Sequence, residues 1–263
     1  MSTYRQIAAL GSSFAAGPGI EPVDDLAAMR SRRNYAHLLA DHLGATLVDL
    51  TVSGATTATI LDTPQVTMSG VRFAPQVHGL PPHADLVTVT AGGNDLQFVG
   101  SMLHQAWSRA DPTGPIATMM ATDFLHGIPE PTPAAIDAMA RGLAQIVDEI
   151  RVRTSDARVV LVDYLTVFTE ETPRDADWPF SPEQTASFRR IQDGIAAGHQ
   201  VAATLAGVEV LAASQLSADH ALGSSTPWVV GFQPTLATTA WSFHPNEDGM
   251  AAVARALADL LAS

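Results

Sequence analysis

The chain contains no cysteine and no lysine, so that all 14 of its basic residues are arginine. Without cysteine it has no disulfide bonds, no thiolate metal sites and no thiol nucleophile. Without lysine it has no Schiff-base chemistry and no phosphate-binding lysine of a P-loop. Any active site must therefore be built on serine, threonine, histidine, aspartate and glutamate.

Positive charge is scarce, with 14 arginines against 27 acidic residues and a net charge of -13. Binding to a nucleic-acid backbone relies on clustered basic side chains, so we expect no nucleic-acid partner. No apolar run reaches the length of a membrane span, and residues 1–6 are too polar for a secretion signal. We therefore expect no stable membrane insertion and a cytoplasmic protein, with export left open.

The 263 residues, of which 46% are hydrophobic, suit one sizeable core, and we predict a single domain over 1–263. Apolar runs that end in small or polar residues predict five strands, at 7–10, 46–51, 85–91, 158–163 and 208–211. Capping and periodicity predict helices at 34–43, 133–150, 182–205 and after 246. This alternation indicates an α/β protein, which we predict to be a flavodoxin-like three-layer fold with a parallel sheet of order 2-1-3-4-5.

Three segments, 62–83, 100–132 and 213–240, show no clean period and are predicted to be largely irregular. A segment as long as 100–132 in a compact domain is often a rim or lid over a site, and 213–240 is a second candidate for the site wall. Met, Trp and Phe side chains in 100–132 and 213–240 suit the wall of an apolar acyl pocket, although ordinary packing explains them almost as well.

Small polar residues follow the first three predicted strands, and a histidine precedes the last helix. In a sheet of the predicted order, Ser13 and Asn94 flank the crevice where the strand order reverses, Gly54 lies beside them, and His244 reaches the same edge. Each also has an ordinary interpretation, because such residues cap helices and hold turns. Together they supply an acyl-transfer site, with Ser13 as nucleophile and His244 as general base. The main-chain N–H groups of Ser13 and Gly54 and the amide of Asn94 would bind the oxyanion.

The order of these residues resembles the SGNH or GDSL hydrolases, a family named after the Ser, Gly, Asn and His of four separate blocks. The matching blocks are Gly11-Ser12-Ser13-Phe14, Gly54, Gly92-Gly93-Asn94-Asp95 and His244-Pro245-Asn246. Among the members, the chain looks most similar to actinobacterial esterases, lipases and phospholipases. The resemblance implies a serine esterase that forms an acyl-enzyme on Ser13 and takes a small-molecule ester, with no cofactor. We expect short to medium acyl chains and include lipid esters.

The other histidines show no ligand spacing such as His-Glu-x-x-His, so we predict no metal.

Two positions depart from the family's pattern. Ser12 stands where an aspartate usually precedes the nucleophile, and Trp241 stands where the triad acid lies, three residues before the histidine. Some streptomycete members are dyads in which a main-chain carbonyl at this position accepts from the histidine, and Trp241 could serve in the same way. Asp248 is a poorer candidate because it suits the first turn of a helix. Without a carboxylate partner, His244 should titrate near its ordinary pKa of about 6.5.

Two other functions use the same residues. One is acyl transfer to an acceptor other than water, which the sequence does not separate from hydrolysis. The other is a catalytically weak, ligand-binding relative, for which the missing acid is the only argument. The presence of Ser13, Gly54, Asn94 and His244 together favours the enzyme, because a binding module does not need all four.

Overall fold

The computed structural model describes residues 4–172 and 178–263; residues 1–3 of the polar N-terminal segment lie outside this description. The strands are β1 (Gln6–Gly11), β2 (Val23–Asp25), β3 (Arg30–Ser31), β4 (Thr46–Asp49), β5 (Gln65–Val66), β6 (Arg72–Phe73), β7 (Leu86–Thr90), β8 (Arg158–Val162) and β9 (Glu209–Leu211). The α-helices are α1 (Ser13–Ala16), α2 (Tyr35–Leu43), α3 (Thr57–Leu61), α4 (Phe98–Ala110), α5 (Pro115–Met120), α6 (Pro133–Arg153), α7 (Pro182–Ala206), α8 (Ala213–Leu216) and α9 (Glu247–Ala262). Short 3-10 turns lie at Gln76–Gly79, Ala218–His220 and Thr239–Trp241.

The central sheet has five strands in the order β4-β1-β7-β8-β9, and every neighbouring pair is parallel. These are the five predicted strands in the predicted order 2-1-3-4-5, so the flavodoxin-like α/β arrangement is confirmed. The order reverses between β1 and β7. The carboxyl ends of these two strands therefore border the crevice where ligands bind in such sheets.

Helices cover both faces of this sheet, so successive residues of one strand enter different cores. Ile7 and Ala9 of β1 pack in one cluster with Leu39 of α2 and Leu257 of α9. Ala8 and Leu10 pack in a second cluster with residues of α3 and α6. Burial on both faces is why the strands read as continuous apolar runs rather than as an alternation.

The predicted helix starts are confirmed by their capping hydrogen bonds. Asn34 caps α2, Thr132 caps α6 and Asn246 caps α9, each accepting from the N–H three residues later. At α7, Ser181 and Gln184 form the predicted capping box. None of the helices formed by the described residues combines the length and apolar character needed to cross a bilayer.

The prediction that 100–132 is irregular is wrong for much of its length. Helix α4 begins at Phe98, before that segment, and α5 lies within it. The start of α4 gives no sequence signal because its N-cap, Gln97, has a left-handed backbone (φ 55°) and makes no side-chain capping bond. The segment 62–83 contains the small β5–β6 sheet, and 213–240 contains α8, which were likewise not predicted.

Candidate active site

One cavity of about 620 Å³ opens at the carboxyl edge of the central sheet. Ser13, Gly54, Asn94 and His244 all line it, although they come from four loops far apart in sequence. The structure thus brings together the residues that the sequence predicted. Trp241 does not line this cavity, but its neighbour Ala240 does.

Ser13 stands at the first position of α1, two residues after the end of β1. The preceding strand end is fixed by Gln76, whose side chain accepts the N–H of Gly11 at 2.8 Å and donates to the carbonyl of Gly11 at 2.9 Å. A side chain at Gly11 would collide with the carbonyl of Thr90 on β7, so glycine is required there. Ser13 is 7% exposed and its Oγ makes no hydrogen bond to another described residue, which leaves it available to a substrate.

The predicted oxyanion donors line the same cavity, and each has an N–H that is free to donate a hydrogen bond. The N–H groups of Ser13 and Gly54 make no hydrogen bond to any residue in the described ranges. Gly54 has a φ of 84°, a conformation that other residues adopt rarely. The amide of Asn94 uses one N–H to donate to the carbonyl of Ala55 at 2.8 Å, so its second N–H is free.

The loop after β7 is tied to the loop after β4 by two adjacent side chains. Besides the bond from Asn94 to Ala55, the carboxylate of Asp95 accepts hydrogen bonds from the N–H and the hydroxyl of Thr57 at the start of α3. These bonds orient the Asn94 amide before a substrate arrives, which is the preorganisation that oxyanion binding requires.

His244 lies on a tight turn whose backbone is held from both sides. Its N–H donates to the carbonyl of Trp241 at 3.2 Å, and its own carbonyl accepts from Val230 at 2.8 Å. Phe243 has a φ of 63°, unusual for a bulky residue, and its fully buried ring packs in an aromatic cluster with Phe180 and Phe232. Burial of this ring offsets the backbone strain and fixes the direction of the histidine.

The imidazole of His244 is 5% exposed and stands 5.6 Å from the ring of Phe14. Burial lowers the pKa of His244 to about 4, although the main-chain carbonyls of Ser242, Trp241 and Ala240 oppose this shift. The expectation of an ordinary pKa near 6.5 is therefore wrong, because the sequence does not reveal how fully the ring is desolvated. The ring's Nδ1 has no hydrogen-bond partner among the described residues.

The carbonyl of Trp241 accepts the main-chain N–H of His244, and Nδ1 of the ring donates to none of the described residues. The indole lies against Gly19, where any side chain would collide with it. Asp248 is exposed on α9, and no acidic residue in the described part of the chain forms an ion pair with His244. The role predicted for Trp241 as the acceptor of the histidine proton stays a prediction.

The walls of the cavity come partly from the predicted segments and partly from others. Val99, Gly100 and Leu103 of α4 and Ala240 line it, in or next to the segments predicted as walls. The other sides are formed by Leu26, Ala27 and Met29 and by residues 64–69, which were not predicted to line the site. Their exposed apolar side chains, Leu26, Val66 and Met68, stand at the rim.

Tyr164 is a residue of the site that was not predicted from the sequence. Its hydroxyl bonds Ser12 and Gly93, the neighbours of Ser13 and Asn94. Its position two residues beyond β8, at the edge where the other strands end in site residues, is a sequence signal that could have found it.

No group of three or more histidine and acidic side chains within residues 4–172 and 178–263 is arranged to hold a metal ion. The prediction that the protein needs no metal is left to experiment.

Residues 9–252 match the family described as GDSL-like Lipase/Acylhydrolase. Among curated proteins, Lipase 2 of Streptomyces coelicolor is 47% identical over 89 residues, which are 33% of this chain and 28% of that protein. The chain thus matches little more than a quarter of that relative's length.

Two solved structures share the fold over nearly their whole length. The extracellular lipase of Streptomyces rimosus is 23% identical with a TM-score of 0.72, and the match covers 97% of this chain and 99% of that one. Phospholipase A1 of Streptomyces albidoflavus is 18% identical with a TM-score of 0.72, covering 98% and 99%. Since the family match spans most of the sequence, the chain belongs to the GDSL-like lipase and acylhydrolase family, as the resemblance of its four blocks predicted.

Proposed function

We propose that the protein is a serine esterase that hydrolyses carboxylic esters through an acyl-enzyme on Ser13. The observation that carries the proposal is the meeting of Ser13, Gly54, Asn94 and His244 in one cavity. Family membership supports ester hydrolysis in general, and these four residues supply a nucleophile, a base and oxyanion donors for it.

The proposed reaction has two stages. His244 takes the hydroxyl proton as the Oγ of Ser13 attacks the ester carbonyl, and the oxyanion accepts hydrogen bonds from Ser13 N–H, Gly54 N–H and the Asn94 amide. The tetrahedral intermediate then expels the alcohol, whose oxygen takes this proton from His244. A water molecule, deprotonated by His244, attacks the acyl-enzyme, and His244 gives that proton to the Oγ of Ser13 as the carboxylic acid leaves.

In this proposal the main chain does the work of a triad acid. The carbonyls of Trp241, Ser242 and Ala240 favour the protonated imidazole, which is one of the two functions of a catalytic aspartate. The other function is to fix the tautomer of the neutral ring, and we assign it to the Trp241 carbonyl, which would accept the Nδ1–H and leave Nε2 to take the proton of Ser13.

The proposed substrates are esters with short to medium acyl chains, including lipid esters. A cavity of about 620 Å³ falls in the usual range for small-molecule sites, and Val99 and Leu103 give it an apolar wall. Lipase and phospholipase A1 are the activities named for the two Streptomyces proteins of the same fold, which supports lipid esters for this chain.

The test is to compare Ser13→Ala with the wild type and with Ser155→Ala, an exposed serine in the turn between α6 and β8. We expect Ser13→Ala to abolish both hydrolysis of p-nitrophenyl esters and covalent labelling by a fluorophosphonate, while Ser155→Ala keeps both. Stoichiometric labelling of Ser13→Ala would refute the assignment of the nucleophile.

A series of p-nitrophenyl esters from acetate to palmitate tests the proposed substrate range, and a preference for palmitate would contradict it. Added acceptor alcohols distinguish hydrolysis from acyl transfer, since a transferase would release new esters rather than free acid. A protein that binds esters without turnover would be the ligand-binding relative.

The location of the protein is also a proposal. The Streptomyces rimosus lipase is extracellular, which supports export for this chain, whereas the cytoplasmic expectation stays a prediction. Fractionation of the producing cells distinguishes an exported protein from a cytoplasmic one.

A further inference from the structure

Tyr164 connects the loop that carries Ser13 to the loop that carries Asn94. Its Oη lies 2.7 Å from the Oγ of Ser12 and accepts the N–H of Gly93 at 3.1 Å. Ser12 and Gly93 directly precede the proposed nucleophile and the proposed oxyanion donor. One hydroxyl therefore connects two strand ends that lie 152 and 71 residues before it in the sequence.

The surroundings of Tyr164 leave it little freedom. Its side chain is 3% exposed, and Ser12 is fully buried. A Cβ at Gly93 would stand 2.5 Å from the Cε1 of Tyr164, so the glycine leaves room for the ring. The ring also packs at 4.3 Å from Phe14, which in turn faces the ring of His244.

The hydroxyl remains protonated under working conditions, because burial raises the pKa of Tyr164 well above its ordinary value. It can accept from Gly93 and donate to Ser12 at the same time. Ser12 is the residue that departs from the family's usual aspartate, and its short hydroxyl makes the hydrogen bond that this tyrosine needs.

We propose that Tyr164 is a positioning residue that sets the distance between Ser13 and Asn94 by acting through Ser12 and Gly93. The inference rests on the proposed function, because it presupposes that Ser13 attacks and that Asn94 binds the oxyanion. A shift of one loop against the other would leave ester binding in the open cavity intact. It would misalign the attack on the carbonyl and the hydrogen bond to the oxyanion.

The test uses Tyr164→Phe and Ser12→Ala, which each remove one end of the same hydrogen bond, and the double variant. The matched control is Tyr35→Phe, because Tyr35 is equally buried and its hydroxyl bonds Thr90 within the sheet at 2.8 Å. Misplacement by about 1 Å costs up to about 100-fold in rate, so we expect kcat for a p-nitrophenyl ester to fall about 10- to 100-fold in Tyr164→Phe.

Four further readouts separate positioning from general stability. KM should stay within about twofold of the wild type, because the lost interaction matters in the transition state. Phosphonylation of Ser13 should slow in parallel with kcat, and the acid limb of the pH profile should not move. The double variant should be about as slow as the slower single variant, since both changes break one connection.

The inference is overturned if Tyr164→Phe keeps kcat within about twofold of the wild type, if Tyr35→Phe loses as much, or if the losses multiply in the double variant. If Tyr164→Phe fails to fold by near-ultraviolet circular dichroism, Ser12→Ala decides by the same criteria. A wild-type protein that neither turns over esters nor is labelled at Ser13 overturns the proposed function and this inference with it. An active wild type with an unaffected Tyr164→Phe overturns the inference alone.

Discussion

This esterase should remain active at unusually low pH. A general base works only when it is unprotonated, and the acid limb of kcat/KM reports its pKa in the free enzyme. Burial brings the pKa of His244 to about 4. As the proposed general base, His244 with its lowered pKa stays neutral, and therefore competent, further into acid.

The effect on activity is largest between pH about 4, the lowered pKa of His244, and pH about 6.5, the ordinary pKa of histidine. At pH 5.5, a histidine of pKa about 4 is about 97% neutral, whereas one of pKa about 6.5 is only about 9% neutral. We therefore expect kcat/KM at pH 5.5 to be close to its plateau, about tenfold above the value for an exposed histidine.

The same shift links folding to pH. Below pH about 6.5 the unfolded chain protonates His244 while the native protein does not, so the unfolded state binds more protons. The free energy of unfolding should therefore fall between pH about 6.5 and 4, by up to about 3 kcal/mol from this residue. The stability is fully present above that window.

The assay is kcat/KM for p-nitrophenyl butyrate between pH 4 and 8, with the product quantified by chromatography because p-nitrophenol is uncoloured in acid. Samples returned to neutral pH control for irreversible inactivation. Asp248→Asn serves as the matched variant, since this exposed carboxylate should not influence the midpoint. A midpoint at pH 6.5 or above would refute the reasoning, since it would mean that the ring is hydrated or paired with a carboxylate.

The other predictions concern the oxyanion donors, the dyad and the metal. Asn94→Ala should lower kcat by about 100- to 1000-fold with little change in KM, and a loss of only about twofold would make Asn94 structural. Trp241→Phe and Asp248→Asn should each keep kcat/KM within about fivefold of the wild type, whereas His244→Ala should lose most activity. If Asp248→Asn falls as far as His244→Ala, a carboxylate completes the triad and the dyad is wrong. Prolonged dialysis against EDTA should leave the hydrolysis rate unchanged, and recovery of lost activity by an added divalent cation would contradict the metal-free mechanism.

The sheet and the four-residue site were predictable because both leave local marks in the sequence. Buried parallel strands are continuous apolar runs, and their carboxyl ends are where site residues gather, so Ser13 and Asn94 could be placed at one edge before any distance was known. The signals for the helix starts at Thr132 and Ser181 were equally local, because a capping side chain bonds an N–H only three residues away.

The features that were missed depend on contacts between distant segments. Helix α4 begins at Phe98, after a left-handed N-cap residue, Gln97, that makes no side-chain capping bond. Its periodicity is hard to see because Phe98 and Val99 lie before the segment 100–132. The low pKa of His244 comes from burial beneath other loops, and the bond between Tyr164 and Ser12 joins residues 152 positions apart. Neither leaves a mark in the neighbouring sequence.

The long-range ties at the strand ends also bear on how the active protein assembles. Gln76 reaches Gly11 across 65 residues and Tyr164 reaches Ser12 across 152, so loop-closure entropy opposes each tie until the central strands have paired. The helices, by contrast, are stabilised by bonds within a few residues. During refolding, circular dichroism in the far ultraviolet would follow the helices, whereas turnover would follow the closure of these distant contacts. Recovered helicity alone is therefore a poor measure of recovered enzyme.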